Sequence, residues 1–244
     1  MEEKVYIPIH QTLKVGMMLA VVGGFLDAYT YLLEGHVFAN AQTGNIVLLC
    51  ILLAEGLWLD ALYYLAPILS YFIGILVTEA IRKHYKAIGP GIWRMRMLTI
   101  EIILLAIIAF TADLFPSSII NVSISFISAM QGCTFKNLVG QSYVTMTCTG
   151  NLRSATRHLF QYLSTKDKES GRISGRYYAI IGSFCIGAFC GTFLVHLVSK
   201  YSILLCCFLL FIVLKVLSRA HHKKHEIESD GADQMSNFQN YFDC

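Results

Sequence analysis

Two copies of one short polar motif, Thr43-Gly44-Asn45 and Thr149-Gly150-Asn151, interrupt stretches otherwise apolar enough to lie in a membrane. Glycine permits a tight backbone there, and asparagine adds a carboxamide that both donates and accepts hydrogen bonds. An unwound backbone at membrane depth is tolerated only where protein or a water-filled cavity satisfies its amides and carbonyls. Each motif opens a helix-forming run, and a helix start carries four unpaired amide protons and the positive end of the dipole. Two such starts facing each other would suit a small polar or anionic solute. The candidate solute-binding residues are therefore Gln42, Thr43, Gly44 and Asn45 from the first copy and Thr149, Gly150 and Asn151 from the second. Asp27, on the apolar run before the first copy, joins them with Gln131, which falls near it in register after a small insertion. An ionisable group at that depth should face the protein interior or a wet cavity. Asp27 has two readings, a titrating group that couples transport to protons and an acceptor that caps the broken backbone.

The elements that must position these residues follow from composition. The chain of 244 residues is 55% hydrophobic and 14% charged, with a mean hydropathy of +0.57; this lies well outside soluble usage and implies an integral membrane protein. The segment from Val15 stays apolar too long for a signal peptide and carries Asp27 where a signal core would be uninterrupted, so it is expected to remain as a span. Seven of the eight cysteines lie in or beside apolar runs without zinc-like pairing to histidine, and are expected to behave as small buried hydrophobes. No cofactor or metal is called for. The net charge of +3 and the placement of basic residues between apolar runs inform topology and give no nucleic-acid-like patch.

Hydropathy places spans at about 15–33, 57–81, 97–112, 117–135, 177–199 and 201–217, after a short N-terminal segment 1–14 and before a polar, disordered tail 219–244. The apolar run after the first motif, Ile46 to Leu53, is too short to cross, since spanning takes roughly 20 residues. Arg153, Arg157 and His158 make a crossing by the helix after the second motif equally unfavourable. Both are expected as re-entrant segments, 38–54 and 144–162. Gly16, Ala20, Gly24 and Ala28 recur every fourth position and predict close approach of another helix, as does the Gly187/Gly191 pair. Asn121, Ser125, Ser128 and Gln131 form a polar stripe that should turn inward, to bond neighbouring helices or to line a cavity. The His221–His225 cluster reads first as a membrane-flanking charge run and second as a metal binder.

Aligning the two motifs brings further features into register. Ser70-Tyr71-Phe72-Ile73-Gly74 falls on Ser183-Phe184-Cys185-Ile186-Gly187, and Tyr63-Tyr64 lies opposite Tyr177-Tyr178. Several matches in one order indicate duplication, with repeat one at 15–112 and repeat two at 113–218. If the basic loops Arg82–Arg96 and Lys166–Arg176 are both cytoplasmic, the count is six spans with both termini inside and the halves inverted. The fold expected is thus an all-α polytopic membrane bundle of two inverted three-span repeats, each with a broken helix, an architecture of transporters and channels.

The run GGFLDAYTYLLEGHVFANAQTGNIVLL closely resembles the YoaK-like family of small bacterial membrane proteins, carried by Gly23, Gly24, Asp27, Gly35, Phe38 and Gln42 to Asn45, with Thr149 to Asn151 fitting its second motif. The resemblance covers the chain up to the polar tail. It implies a multi-span fold in a bacterial plasma membrane and supplies no substrate. The expected partners are the lipid bilayer and a small-molecule solute, with no nucleic acid; self-association is left open. A membrane enzyme is the competing class, for which His36 near Glu34 is the best acid–base candidate, and a non-catalytic assembly protein is the third.

Overall fold

The computed structural model describes residues 8–85, 92–138, 141–142 and 148–222. Seven helices are α1 Leu13–Leu33, α2 Gln42–Ala54, α3 Trp58–Tyr85, α4 Ile92–Thr111, α5 Ser117–Thr134, α6 Cys148–Thr165 and α7 Lys168–Val198. An eighth, α8, covers 204–222 after a 3-10 turn, Ser199–Ile203, that opens on the left-handed Ser199. Four stretches are long and apolar enough to cross a membrane: Leu13–Leu33, Trp58–Tyr85, Ile92–Leu114 and Lys168–His222, the last holding both α7 and α8. A two-residue antiparallel contact, Asn137–Leu138 with Gln141–Ser142, is the one departure from helix and turn among the described residues. The protein is an all-α membrane bundle.

The small residues of α1 do what their spacing predicts. α7 packs along α1 more extensively than any other helix pair does. A β-carbon on Gly24 would run into the Phe184 carbonyl, and one on Gly187 into the Val21 carbonyl, so the two backbones touch because both positions lack a side chain. Gly191 lies against Phe25 and Ala28 in turn, so residue numbers rise together and the helices are parallel. The next most extensive pair, α3 with α5, is built the same way. Gly74 lies against Phe126 and Ala129, and the Ser70 hydroxyl donates to the Val122 carbonyl at 2.7 Å. α4 and α8 complete the bundle as an antiparallel pair: Lys200 meets Asp113 in an ion pair, Tyr201 lies beside Phe110, and the Cys207 thiol reaches the Ile102 carbonyl at 3.7 Å.

The core joins Phe25, Leu26 and Tyr29 of α1 to Leu98 and Leu105 of α4, Ile124 and Ile127 of α5, and Leu210 and Val213 of α8. Large apolar side chains also stand outward, among them Phe72, Ile103, Phe110, Phe189 and Phe208. Lipid is the solvent that makes such an exterior stable. The cysteines divide between these environments rather than all being buried. Cys206 is buried, whereas Cys50 and Cys185 are exposed on helix faces. A small apolar side chain is as content against lipid as in a core.

Several boundaries differ from the hydropathy reading for one reason. α4 starts at Ile92, so Arg94 and Arg96 stand on a helix, and α7 starts at Lys168, so Arg172 and Arg176 do too. Long cationic side chains reach the interface from within a helix without ending it. The start of α7 is fixed by Asp167, whose carboxylate accepts from the Glu169 and Ser170 amides. Pro67 lies inside an uninterrupted α3. The expectations for residues 1–7, for 144–147 at the head of the second break, and for the tail beyond 222, including His225, lie outside the described residues.

Candidate functional site

α1 ends in a turn that no ordinary side chain favours. Gly35 and His36 both hold positive φ, 78° and 62°, which reverses the chain within two residues. The turn is held by its carbonyl: Glu34 O accepts from the Tyr63 hydroxyl at 2.5 Å and from Asn121 Nδ2 at 2.6 Å. Asn121, the first member of the α5 stripe, thus bonds a neighbouring segment. His36 packs against Tyr31 with the rings tilted and their centroids 4.7 Å apart, and among the described residues no hydrogen bond or ion pair joins it to Glu34. Burial pushes the Glu34 carboxyl above its usual range, against the pull of a Ser117 hydrogen bond.

From the turn the chain runs back along α1. Asn40 N–H donates to Asp27 Oδ1 at 2.7 Å, and Asn40 Nδ2 donates to the Gly23 carbonyl at 2.9 Å and to Asp27 Oδ1 at 3.2 Å. α2 therefore starts alongside α1 more than a turn short of that helix's end. Two side chains lock its first turn. Asn45 Nδ2 donates to Phe38 O at 2.7 Å and to Gln42 Oε1 at 3.0 Å, while Asn45 Oδ1 accepts from Phe38 N–H at 3.0 Å. Gln42 Nε2 donates to Ala39 O at 2.9 Å. Asn45 is completely buried, so its carboxamide closes a loop by imitating a backbone strand partner instead of presenting itself to a solute.

The start of α6 approaches the same place from the other side. Cys148 and Thr149 share a cavity of about 700 Å³ with Asn40 to Thr43, Asp27 and Tyr31. Tyr71 of α3 and Phe184 of α7 supply aromatic walls. From there α6 runs back against α7, where the Ser174 hydroxyl donates to Ala155 O at 2.8 Å and His158 stacks on Tyr177. Of α6, only Asn151 and Ala155 are buried; Arg153 and Arg157 are exposed.

The nine candidate residues divide accordingly. Asp27, Gln42, Thr43 and Thr149 line the cavity. Gly44 packs under the Phe38 ring, Asn45 braces the loop, and Asn151 is buried behind the start of α6. A β-carbon at Gly150 would meet nothing within 4 Å. Gln131 is 1% exposed, stands apart from the cavity lining, and neither Nε2 nor Oε1 has a hydrogen-bond partner. Asn40 is the residue that sequence reasoning missed. It is 2% exposed, lines the cavity, ties the break to α1 and leaves its own Oδ1 unpaired. The one signal for it was its place as the lone polar residue between Phe38 and Gln42. Among the described residues no three His, Cys, Asp or Glu side chains cluster closely enough to hold a metal ion.

Comparison with known proteins agrees with the membrane architecture. The chain is 25% identical over 178 residues to the UPF0700 transmembrane protein YoaK of Bacillus subtilis (strain 168), an alignment covering 70% of this chain and 78% of that protein. No solved structure matches. Residues 15–216, which hold every helix of the cavity, match the family described as "Protein of unknown function (DUF1275)", and the chain belongs to that family.

Proposed function

We propose that the protein is a transporter or channel for a small polar or anionic solute, with its site where the starts of α2 and α6 meet. The observation that carries this reading is that meeting: two helix starts, 106 residues apart in register, share one cavity with the intramembrane carboxyl of Asp27. Helix starts offer unpaired amides and positive dipole ends, which transporters use to hold solutes at mid-membrane. The aromatic walls from Tyr31, Tyr71 and Phe184 suit the uncharged part of such a solute.

The wider architecture in this proposal is six spans, α1, α3, α4, α5, α7 and α8, with α2 and α6 as re-entrant half-helices of two inverted repeats. The parallel pairs α1 with α7 and α3 with α5 support it, because the repeat alignment exchanges one pair for the other. The positive-inside bias then puts both termini and the basic connections in the cytoplasm of a bacterial cell, as in a plasma-membrane protein.

Reconstitution of the full chain into liposomes tests the function. Uptake of at least one solute from a panel of small organic acids, amino acids, inorganic anions and polyols should exceed that of empty vesicles, and Thr43→Val with Thr149→Val should lower it at least tenfold. No protein-dependent flux across the panel, or flux indifferent to both substitutions, overturns the reading. Topology is tested separately by thiol labelling of Gly89→Cys and Gly171→Cys in a chain lacking its native cysteines. The inverted arrangement requires both on one side.

A further inference from the structure

The lining of the solute cavity has a sign. Among the described residues it holds one charged side chain, Asp27, and no lysine, arginine or histidine. The segment that enters from the second break, 137–152, has no charged residue or histidine anywhere along it. Arg153, one turn past Thr149, is exposed and lies outside the lining. Around the carboxyl stand four aromatic residues, Tyr31, Phe38, Tyr71 and Phe184. The first two are stacked, with ring centroids 5.1 Å apart.

Hydrogen bonding at the first break points the same way, because its donors are engaged within the protein. The Gln42 and Gly44 amides bond the Asn40 and Ala41 carbonyls, and Gln42 Nε2 bonds the Ala39 carbonyl. Asn40 gives its backbone amide and its carboxamide to Asp27 and Gly23. What this leaves at the cavity is acceptor capacity. Both Asn40 donors that reach Asp27 fall on Oδ1, and a carboxylate has a second acceptor oxygen. Asn40 Oδ1 is itself buried without a partner.

A carboxylate at membrane depth is stabilised by a cation beside it, and the faces of aromatic rings attract the same kind of charge. The dipole ends of α2 and α6 carry about half a positive charge each. Together they offset Asp27 at most, so a bare anion gains no net attraction, whereas a cation against the carboxylate meets its charge at close range. We propose that the transported solute carries an ammonium group, held by the Asp27 carboxylate among the rings of Tyr31, Phe38, Tyr71 and Phe184. The ammonium belongs either to a simple organic amine or to an amino acid, whose own carboxylate then lies at the helix starts. This rests on the cavity being the solute site, and it narrows the polar or anionic solute of that reading to one with a positive end.

The test titrates the full chain in phosphatidylcholine nanodiscs with four probes of similar size, phenethylamine, phenethyl alcohol, hydrocinnamate and phenylalanine, and subtracts the heat given by empty nanodiscs. The amine should bind at least tenfold more tightly than the alcohol or the acid. Asp27→Asn should abolish that preference while the thermal midpoint stays close to that of the wild type, and Tyr71→Leu should weaken the amine roughly threefold. Phenylalanine bound as tightly as the amine identifies an amino acid as the solute class, and weaker binding identifies a simple amine. Amine binding no tighter than that of the alcohol, amine binding undiminished in Asp27→Asn, or a preference for hydrocinnamate overturns the proposal. Binding is read without flux, so the two readings separate. Amine binding by a protein that moves no solute keeps the ammonium site and removes the transport reading; flux of an acid with no binding of the amine does the reverse.

Discussion

At Gly44 a β-carbon would press on the Phe38 ring at 3.1 Å, whereas at Gly150, the equivalent position of the second motif, it would meet nothing within 4 Å. Each glycine opens the helix that follows a break in the apolar sequence. The first break is braced by its own side chains: Asn45 bonds Phe38 on both its amide and its carbonyl, Gln42 is held between Asn45 and Ala39, and Asp27 fastens Asn40 to α1. Gln131, which the sequence alignment sets near Asp27, is buried with both polar atoms unpartnered among the described residues. One tripeptide thus opens a short helix at each site, but the space around its glycine differs. A half-helix anchored in this way keeps its position, and a buried amide without partners has polar capacity left over.

Six substitutions would break or sharpen that contrast. The largest effect is expected for Asp27→Leu, which takes the acceptor from the buried Asn40 backbone amide and one of two from its carboxamide. It should cost about 3 kcal/mol, read as a lowered midpoint in thermal unfolding of the detergent-solubilised protein. Asp27→Asn should recover most of that loss, since its oxygen can still accept from Asn40, and any pH dependence of flux that disappears in this variant is then assigned to the carboxyl itself. Next, Asn45→Ala removes three hydrogen bonds at once and should cost about 2 kcal/mol by the same measurement. If Asn45→Ala were harmless, the side-chain bracing of the first break would contribute nothing to stability.

Gln131→Met should act in the opposite direction, stabilising by about 1 kcal/mol, because it replaces an unpaired buried amide with an apolar chain of similar length. Destabilisation by this variant would mean that the amide is satisfied in the working protein, most simply by water. The glycines give the smallest effects and the clearest sign change. Gly44→Ala should cost about 0.5 kcal/mol, since helix propensity gained is outweighed by pressure on a Phe38 ring already stacked on Tyr31, whereas Gly150→Ala should gain about 0.5 kcal/mol. Equal effects at the two positions would erase the distinction between the breaks.

Much of this was legible in the chain because local spacing encodes it. The four-residue recurrence of Gly16, Ala20 and Gly24 marks the face that meets α7, and the shortness of the apolar run after Asn45 marks a helix that ends at Ala54. Hydropathy misjudged the helix ends at Arg94, Arg96 and Lys168 to Arg176, since averaging over charge hides a backbone that stays helical. The role of Asn45 was out of reach for another reason. Its partners depend on the path of residues 36–41, and that path is set by two consecutive left-handed residues and by Tyr63 and Asn121, which are remote in sequence. Asn40 was hidden likewise, because its importance lies in a bond to a residue 13 positions earlier. The hydroxyls of Ser125 and Ser128 have no partner among the described residues, although their inward direction was correctly expected.

The pairing of α1 with α7 sets the order in which the molecule can be completed. α1 has its glycine face shaped for a helix that is synthesised some 150 residues later, beginning at Lys168. Through most of synthesis that face lies bare in the lipid, where no apolar driving force hides it, and α3 finds its own partner, α5, much sooner. Nascent chains halted before Val198 are consequently missing the contact that seals the first half, and they are the species that membrane quality control has the longest opportunity to seize.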